Sequence, residues 1–255
     1  WKINLNLTHY KNKITYLPDE KKTTVMDGHG GYMNGSRYYG EDLPINTWYM
    51  KRFAGLSEDG LSLWYYTDKE TNEEKTTTTY STGDFYLCGD PNPDLYGGFG
   101  TSITFHGFDL STQFSYLVGG LTYDYGYAGM MGNPTATSVG NRWHKDVLKA
   151  WSPENPSSTI PRWYFNDLNT TGSSDRFLID GSYLNLQNIQ VGYTLPDSWT
   201  SHLKIKNLRL YFVCDNVYYW SKRKGLDPRR SISGVGTSGK IAPFRTYSGG
   251  ISLQF

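Results

Sequence analysis

Long apolar runs, an excess of one charge and abundant cysteine are all missing from this 255-residue sequence. No stretch approaches the ~18 apolar residues that a membrane-spanning helix needs, which excludes a helical membrane protein. Lys and Arg number 25 against 24 Asp and Glu, so no basic surface indicates nucleic-acid binding. The two cysteines, Cys88 and Cys214, have no metal-ligand spacing, and the sequence leaves open whether they pair.

Residue patterns typical of catalysis are also missing. The five histidines are scattered without paired spacing, and no G-x-S-x-G is present. The glycine clusters at 28–35 and 234–239 lack the Lys-Ser/Thr of a phosphate-binding loop. Asp90, Asn92 and Asp94 offer oxygen ligands suited to Ca²⁺, but the intervening prolines favour a stiff turn. We therefore predict a protein that is not an enzyme and that has neither cofactor nor metal.

Aromatic residues make up 16% of the chain. This excess favours the interfacial belts of an outer-membrane β-barrel, a carbohydrate-stacking surface, or both. In the last nine residues Tyr247, Ile251, Leu253 and Phe255 fall on one face, and polar residues fall on the other. Such alternation predicts a strand with one apolar and one polar side. A terminal strand ending in Phe is typical of outer-membrane barrels, although a soluble sandwich could also end in this way.

Five further amphipathic strands precede this one. The apolar parity of one of them flips near Asn188, which predicts a β-bulge. The five strands are predicted to cover about residues 1–16, 99–105, 108–118, 182–195 and 208–220.

The connections between these strands alternate between long and short. Those at 17–97, 119–181 and 221–240 are long, whereas those at 106–107 and 196–201 are short. This sorting is expected if every strand crosses one membrane and only one side needs tight turns. We predict that the first connection is irregular. In the second, Trp143, Val147 and Trp151 recur every four residues, which predicts a helix over 141–151.

The predicted fold is therefore all-β, an antiparallel transmembrane β-barrel segment with long extracellular loops. Six strands cannot close a membrane barrel, since the smallest have eight, and open edges in lipid would leave backbone groups unpaired. The sequence also begins at Trp1 without a signal peptide. We therefore expect residues 1–255 to be one portion of a larger barrel domain.

Several short motifs together resemble the SusC/RagA family of TonB-dependent outer-membrane transporters. Each is weak alone, but their order along nearly the whole chain is specific. Asn185 departs from the family pattern, which usually has Arg there, and Asp215-Asn216 stands where a glycine is common. The matching segments are WSPENPSSTIPR at 151–162, SDRFL at 174–178, GSYL at 181–184, VGYTLP at 191–196 and PFRTY at 243–247, with NKI at 12–14, AGL at 54–56, GDPNPD at 89–94 and GLDP at 225–228.

The resemblance implies that this chain is the C-terminal part of a ~22-stranded barrel in a bacterial outer membrane. It implies a plug domain and a TonB-interacting region upstream, a SusD-like lipoprotein lid, and import of an oligosaccharide or a peptide. It also implies that the final strand, with Tyr247, Ile251, Leu253 and Phe255, is an assembly signal. Against this stand a non-transport barrel, either adhesin-like or enzymatic, and a soluble carbohydrate-binding β-sandwich.

Aromatic clusters are the candidate contacts for a substrate or a lid protein, because Tyr and Trp stack on sugars and are favoured in interfaces. Packing inside the loops and membrane-interface belts are the competing interpretations. Arg229, with Arg230 and Lys240, could bind a polar or acidic ligand. The candidate aromatic residues are Trp48, Tyr49, Trp163, Tyr164, Tyr218, Tyr219 and Trp220.

Overall fold

A computed structural model describes residues 1–135, 142–167, 169, 172–201, 204–223, 225–230, 233–235 and 243–255. Within these ranges the chain forms four antiparallel sheets and two short α-helices. No helix among them is long and apolar enough to cross a membrane. The strands are β1 (Lys2–Thr8), β2 (Thr24–Met26), β3 (His29–Asn34), β4 (Arg37–Gly40), β5 (Thr47–Lys51), β6 (Phe53–Leu56), β7 (Ser62–Thr67), β8 (Glu74–Thr77), β9 (Phe85–Leu87), β10 (Leu95–Phe105), β11 (Phe108–Val118), β12 (Leu121–Tyr123), β13 (Leu178–Asp180), β14 (Tyr183–Thr194), β15 (Asn207–Ser221) and β16 (Thr246–Gln254); the helices are α1 (Tyr125–Met130) and α2 (Asp197–Thr200).

The six-stranded sheet has the order β1-β10-β11-β14-β15-β16. Its strands are the six amphipathic segments predicted from the sequence, so the all-β antiparallel fold is confirmed. The first strand was predicted to reach Tyr16 but ends at Thr8. Thr8 pairs with Tyr96, close to the start of β10, and the chain beyond it turns towards the loops, where Ile14 N–H donates to Leu43 O.

The two faces of this sheet differ as the alternation requires. On the outward face, Phe99 stacks on Phe114 with ring centroids 4.6 Å apart, and Phe212 stacks on Tyr247. The inward face carries mostly polar groups. The predicted bulge is confirmed, because the register of β14 shifts between Leu186 and Asn188 against both neighbouring strands.

The two ends of the sheet also differ. At the turn end, His106 and Gly107 join β10 to β11 with φ of 46° and 84°, the two positive values that a type I′ turn requires. The other connection at this end is longer than the predicted 196–201 turn, since Pro196 precedes helix α2 and β15 begins only at Asn207. The loop end carries the three long connections.

The first long connection is folded and not irregular, which corrects the sequence-based expectation. It contains a five-stranded sheet, β2-β3-β4-β5-β9, and a three-stranded sheet, β6-β7-β8. These strands have only three to six residues each, which is too short for period-two alternation to be recognised.

The predicted helix over 141–151 is wrong for the residues that are described, and residue 141 lies outside them. Only Lys145–Lys149 form a 3-10 turn. Trp143 packs edge-on against Trp163, whereas the Trp151 ring covers Gly60. The two tryptophans therefore face different partners and do not define one helical face.

The hydrophobic core lies in the long connections. It contains Trp48 and Met50 from the first connection and Tyr123, Met131 and Phe177 from the second. The third connection joins them, because Arg37 donates to Ser233 O and Tyr123 N–H donates to Gly234 O at 2.8 Å. We call this body, formed by the three long connections, the loop layer.

Lys51 is a buried cation that organises one turn of the loop layer. Its side chain is 4% exposed, and burial lowers its pKa. Nζ donates to the carbonyl oxygens of Tyr80 at 2.5 Å, Ser81 at 3.1 Å and Gly83 at 2.6 Å. One ammonium therefore satisfies three backbone acceptors.

We predict that Lys51→Met loosens this turn, because three carbonyls would lose their donor at a cost of about 2–4 kcal/mol. In the full-length protein, limited proteolysis should cleave near residues 80–84 at least tenfold faster. Lys75→Met is the control, since Lys75 is more exposed and its ammonium pairs with the Asp68 carboxylate instead of this turn. Equal cleavage rates in both variants would contradict this role for Lys51.

Candidate functional site

Two aromatic belts mark the outward face of the six-stranded sheet. Phe105, Phe108 and Tyr193 lie at the turn end, where Phe108 and Tyr193 pack with centroids 4.3 Å apart. The second belt lies at the loop end and includes Tyr116, which is on β11 eight residues beyond Phe108. At ~3.3 Å per residue and a tilt of ~40°, this places the belts about 20 Å apart along the membrane normal. The spacing fits the apolar band of an outer-membrane barrel, ~25 Å tall.

The residues predicted as an assembly signal share this outward face. Tyr247, Ile251 and Leu253 pair with Cys214, Leu210 and Leu208 of β15. Phe255 follows at the turn end and is 73% exposed. The structure thus places the four side chains in one apolar row, and their role in assembly stays a prediction.

A bidentate ion pair spans three strands on the inward face near the turn end. Arg209 of β15 donates through Nε and Nη2 to the two carboxylate oxygens of Asp109 on β11, at 2.9 and 2.6 Å. Gly192 of β14 lies between them. A Cβ at position 192 would come within 2.4 Å of Asp109 Oδ1 and 2.5 Å of Arg209 Nη2. The absence of a side chain at Gly192 therefore makes the ion pair possible.

A second inward-facing glycine, Gly250, also leaves room for a neighbouring side chain. The ring of Tyr211 lies over Gly250, where a Cβ would meet it at 2.4 Å, and the Arg209 guanidinium lies 5.2 Å from that ring. This network was not predicted, because the alternation of β15 places Arg209 and Tyr211 on one face without indicating their partners.

Arg229 and Tyr219, both predicted from the sequence, come together at the loop end. Arg229 binds both carboxylate oxygens of Asp227 at 2.7 Å, donates to Asn185 Oδ1 at 2.6 Å and lies 4.7 Å from the Tyr219 ring. The hydrogen bonds to Asp227 raise the pKa of Arg229. Asn185, the departure from the family motif, thus joins the GLDP loop to β14. Lys240 and the side chain of Arg230 lie outside what the structure describes.

Four of the remaining predicted aromatics lie either in the buried core or in an aromatic belt. Trp48 and Tyr49 are buried in the loop layer, 0% and 6% exposed, and present no surface to a ligand; Trp48 instead packs against the Arg37 guanidinium. Tyr218 and Trp220 pair with Leu186 and Leu184 on the outward face. They therefore belong to the loop-end aromatic belt.

Trp163 and Tyr164 form an exposed patch on the second long connection. They are 41% and 62% exposed, and the adjoining Phe165 is 56% exposed. The indole N–H groups of Trp163 and Trp143 both donate to Gly132 O, which fixes the position of the patch. Of the predicted aromatics, these two best combine exposure with a fixed position.

Buried ionisable groups of the loop layer have structural roles. Burial lowers the pKa of Arg37 and of Arg176 to about 10 and raises that of the Cys88 thiol to about 11. The Cys88 thiol contacts Tyr86 O at 3.3 Å, and both cysteines are free. Across the described ranges, no group of three acidic, histidine or cysteine side chains is arranged to hold a metal ion.

The chain is similar over its whole length to receptors of one kind. TonB-dependent receptor P3 of Formosa agariphila is 28% identical over 285 residues, covering 100% of this chain and 27% of the receptor. TonB-dependent receptor SusC of Bacteroides thetaiotaomicron is 27% identical over 264 residues, covering 100% of this chain and 24% of the receptor. The chain thus spans about a quarter of the length of these relatives. No family profile matches it.

Solved structures share the fold. The RagAB peptide transporter matches 99% of this chain and 27% of its own chain, with a TM-score of 0.79 and 23% identity. The closed-closed state of the RagAB peptide importer gives a TM-score of 0.80. These likenesses confirm the resemblance to the SusC/RagA family and the outer-membrane localisation, and they are to receptors and transporters rather than enzymes.

We predict that Gly192→Ala destabilises the sheet by about 1–2 kcal/mol, because the new methyl group separates Asp109 from Arg209. Gly249→Ala is the matched control, since a Cβ there meets only Tyr211 O at 3.9 Å. Thermal unfolding of the full-length protein in detergent measures both changes. The cost of Gly192→Ala should fall below about 0.5 kcal/mol when Asp109 and Arg209 are already replaced by Ser and Gln. An unchanged cost in that background would contradict the explanation.

We also predict slow alkylation of Cys88. With a pKa of about 11, only about one thiol in a thousand is ionised at pH 8, so iodoacetamide should react at least a hundredfold more slowly than with a free cysteine. The rate should rise about tenfold per pH unit up to pH 11. Peptide-level mass spectrometry of folded and denatured protein measures this, and a rate that levels off near pH 9 would disprove it.

Proposed function

We propose that this chain, a SusC/RagA-type segment of an outer-membrane barrel, is part of an active transporter that imports nutrients. The observation that carries the proposal is the similarity of the whole chain to TonB-dependent receptors. We further propose that strands outside these 255 residues complete the barrel. In support, the outer edges of β1 and β16 have no partner strand within the described ranges, and lipid offers no hydrogen-bond partner to such an edge.

The arrangement of the six-stranded sheet supports a transport path. Its apolar face, between two aromatic belts, suits lipid, and its inward face carries polar groups such as Asn188, which donates to Asp215 at 2.7 Å. Polar side chains along a lumen can bind a hydrated solute weakly as it passes. We propose that energy is supplied by the TonB complex through parts of the protein outside this chain.

We propose that the loop layer faces outwards and contacts both the substrate and a SusD-like lipoprotein lid. The exposed patch at Trp163 and Tyr164 is the strongest candidate contact, and Tyr219 with Arg229 is the second. Exposed aromatic rings stack on sugar rings and also pack against peptide side chains. The substrate class is therefore an oligosaccharide or a peptide, as the resemblance implies.

The test is uptake by cells that carry the full-length transporter as their only route for the substrate. Labelled oligosaccharides and peptides are offered separately, with and without a protonophore. Uptake of one class should require the proton gradient. Replacing both Trp163 and Tyr164 with Ala should reduce that uptake about tenfold, since each lost ring contact is worth ~0.5–1.5 kcal/mol.

Trp199→Ala is the matched control. Trp199 is 66% exposed, but it lies in α2 at the turn end. Its replacement should leave uptake unchanged, and surface abundance of all variants should be equal. Normal surface abundance without energy-dependent uptake of either class would favour a non-transport barrel. Equal uptake by the Trp163/Tyr164 variant would remove this patch from the transport site while leaving the transport proposal intact.

A further inference from the structure

Arg245 lies on the outward face of the sheet, just before β16. It is exposed, and its Nη1 lies 3.5 Å from the hydroxyl oxygen of Tyr247, two residues further on. Side chains two residues apart share one face of an extended chain. Tyr247 pairs with Cys214 on the outward face. The guanidinium therefore points to the side that carries the apolar row.

The position of Arg245 along the membrane normal follows from strand geometry. Ten residues separate it from Phe255 at the turn end. At ~3.3 Å per residue and ~40° of tilt, the separation along the normal is about 25 Å. This equals the height of the apolar band of an outer-membrane barrel. Arg245 thus stands at the interface on the loop side, where lipid headgroups begin.

The residues beside Arg245 form a cleft that is lined partly by aromatic rings. Tyr218 and Trp220 pack edge-on with centroids 4.8 Å apart and are 50% and 48% exposed. They line the cleft together with Pro243 and Arg245, and Tyr219 and Arg229 line its inward side. Asn216 Nδ2 donates to Phe244 O at 3.1 Å, which holds the segment carrying Arg245 against β15.

Arg245 differs in its charge partners from the arginines of the neighbouring strand and loop. Arg209, Arg223 and Arg229 each form an ion pair with a carboxylate, whereas no described carboxylate forms one with Arg245. A guanidinium in an aromatic belt at a lipid interface is suited to bidentate binding of a phosphate oxyanion. The surrounding rings favour the boundary between headgroups and acyl chains.

We propose that Arg245 binds the phosphate of a lipid headgroup on the loop side of the membrane, while Tyr218, Trp220 and Tyr247 pack against the apolar part of the same lipid. The four side chains that would hold the lipid lie on the outward face of the sheet, whereas the proposed transport path follows the inward face. It would fix the height at which this part of the barrel sits in the membrane.

The experiment uses the full-length protein in detergent micelles and native mass spectrometry. The probes are phosphatidic acid and diacylglycerol, which differ by the phosphate alone. Arg245→Gln should weaken phosphatidic acid binding roughly fivefold, the effect expected of one basic residue at an anionic lipid surface, and should leave diacylglycerol binding unchanged. Arg245→Lys should give an intermediate loss, because it keeps the charge without the planar fork.

Arg142→Gln is the control, since Arg142 is an exposed arginine of the second long connection. Equal phosphatidic acid binding by wild type and Arg245→Gln would overturn the proposal, as would an equal loss in Arg142→Gln. Complete displacement of the lipid by an equal concentration of inorganic phosphate would also overturn it, because it would indicate a soluble-anion site. None of these outcomes bears on nutrient uptake.

Discussion

Backbone hydrogen bonding in lipid is the constraint on which the rest of this structure depends. Hydrocarbon offers no partner to an unpaired N–H or C=O, so each long strand must pair along its whole membrane-crossing length. Pairing fixes the alternation of side chains, and alternation assigns every residue to lipid or to the inward face. The bulge between Leu186 and Asn188 shows how two neighbouring strands keep their outward-facing residues paired. At the same level β15 carries an extra residue opposite β14, with Asn216 at φ 51°, so that Leu186 and Tyr218 return to the outward face together.

A consequence is that the buried core of this chain lies outside the membrane-crossing sheet. One face of that sheet is apolar because it meets lipid, and the other is polar, so neither can form a dry protein interior. The most deeply buried side chains, including Trp48, Trp64 and Tyr38, belong to the loop layer instead. That layer contains buried cations as well. Arg37 donates to carbonyls of two separate segments, and Lys51 donates to three carbonyls of one turn. Both therefore connect pieces of chain whose strands are too short to be stable alone.

How far the sequence predicts the structure depends on the range of the interaction. The six long strands, the turn at His106 and the bulge near Asn188 are visible in the sequence because period-two alternation is local. The short strands of the first long connection are not visible, since three to six residues carry too little pattern. The use of Gly192 depends on Asp109 and Arg209, which are 100 residues apart. The sequence also does not show that Trp48 is buried whereas Trp163 is exposed, because both belong to similar aromatic clusters and burial depends on contacts with distant residues.

In the transporter proposed above, the partners of the inward-facing charges bear on where a substrate would be selected. Asp109 is neutralised by Arg209 near the turn end, Asp215 accepts a hydrogen bond from Asn188, and Arg229 is neutralised by Asp227 at the loop end. A solute passing Asp109 and Arg229 would meet compensated ion pairs, which bind weakly and discriminate little between neutral sugars and zwitterionic peptides, whereas the partner of Asp215 is an amide and not a cation. Aromatic rings held at fixed positions in the loop layer offer stronger and more selective contacts. Under the transport proposal, differences in substrate between transporters of this kind should therefore be concentrated in the loop layer, while the alternation of the wall can stay the same.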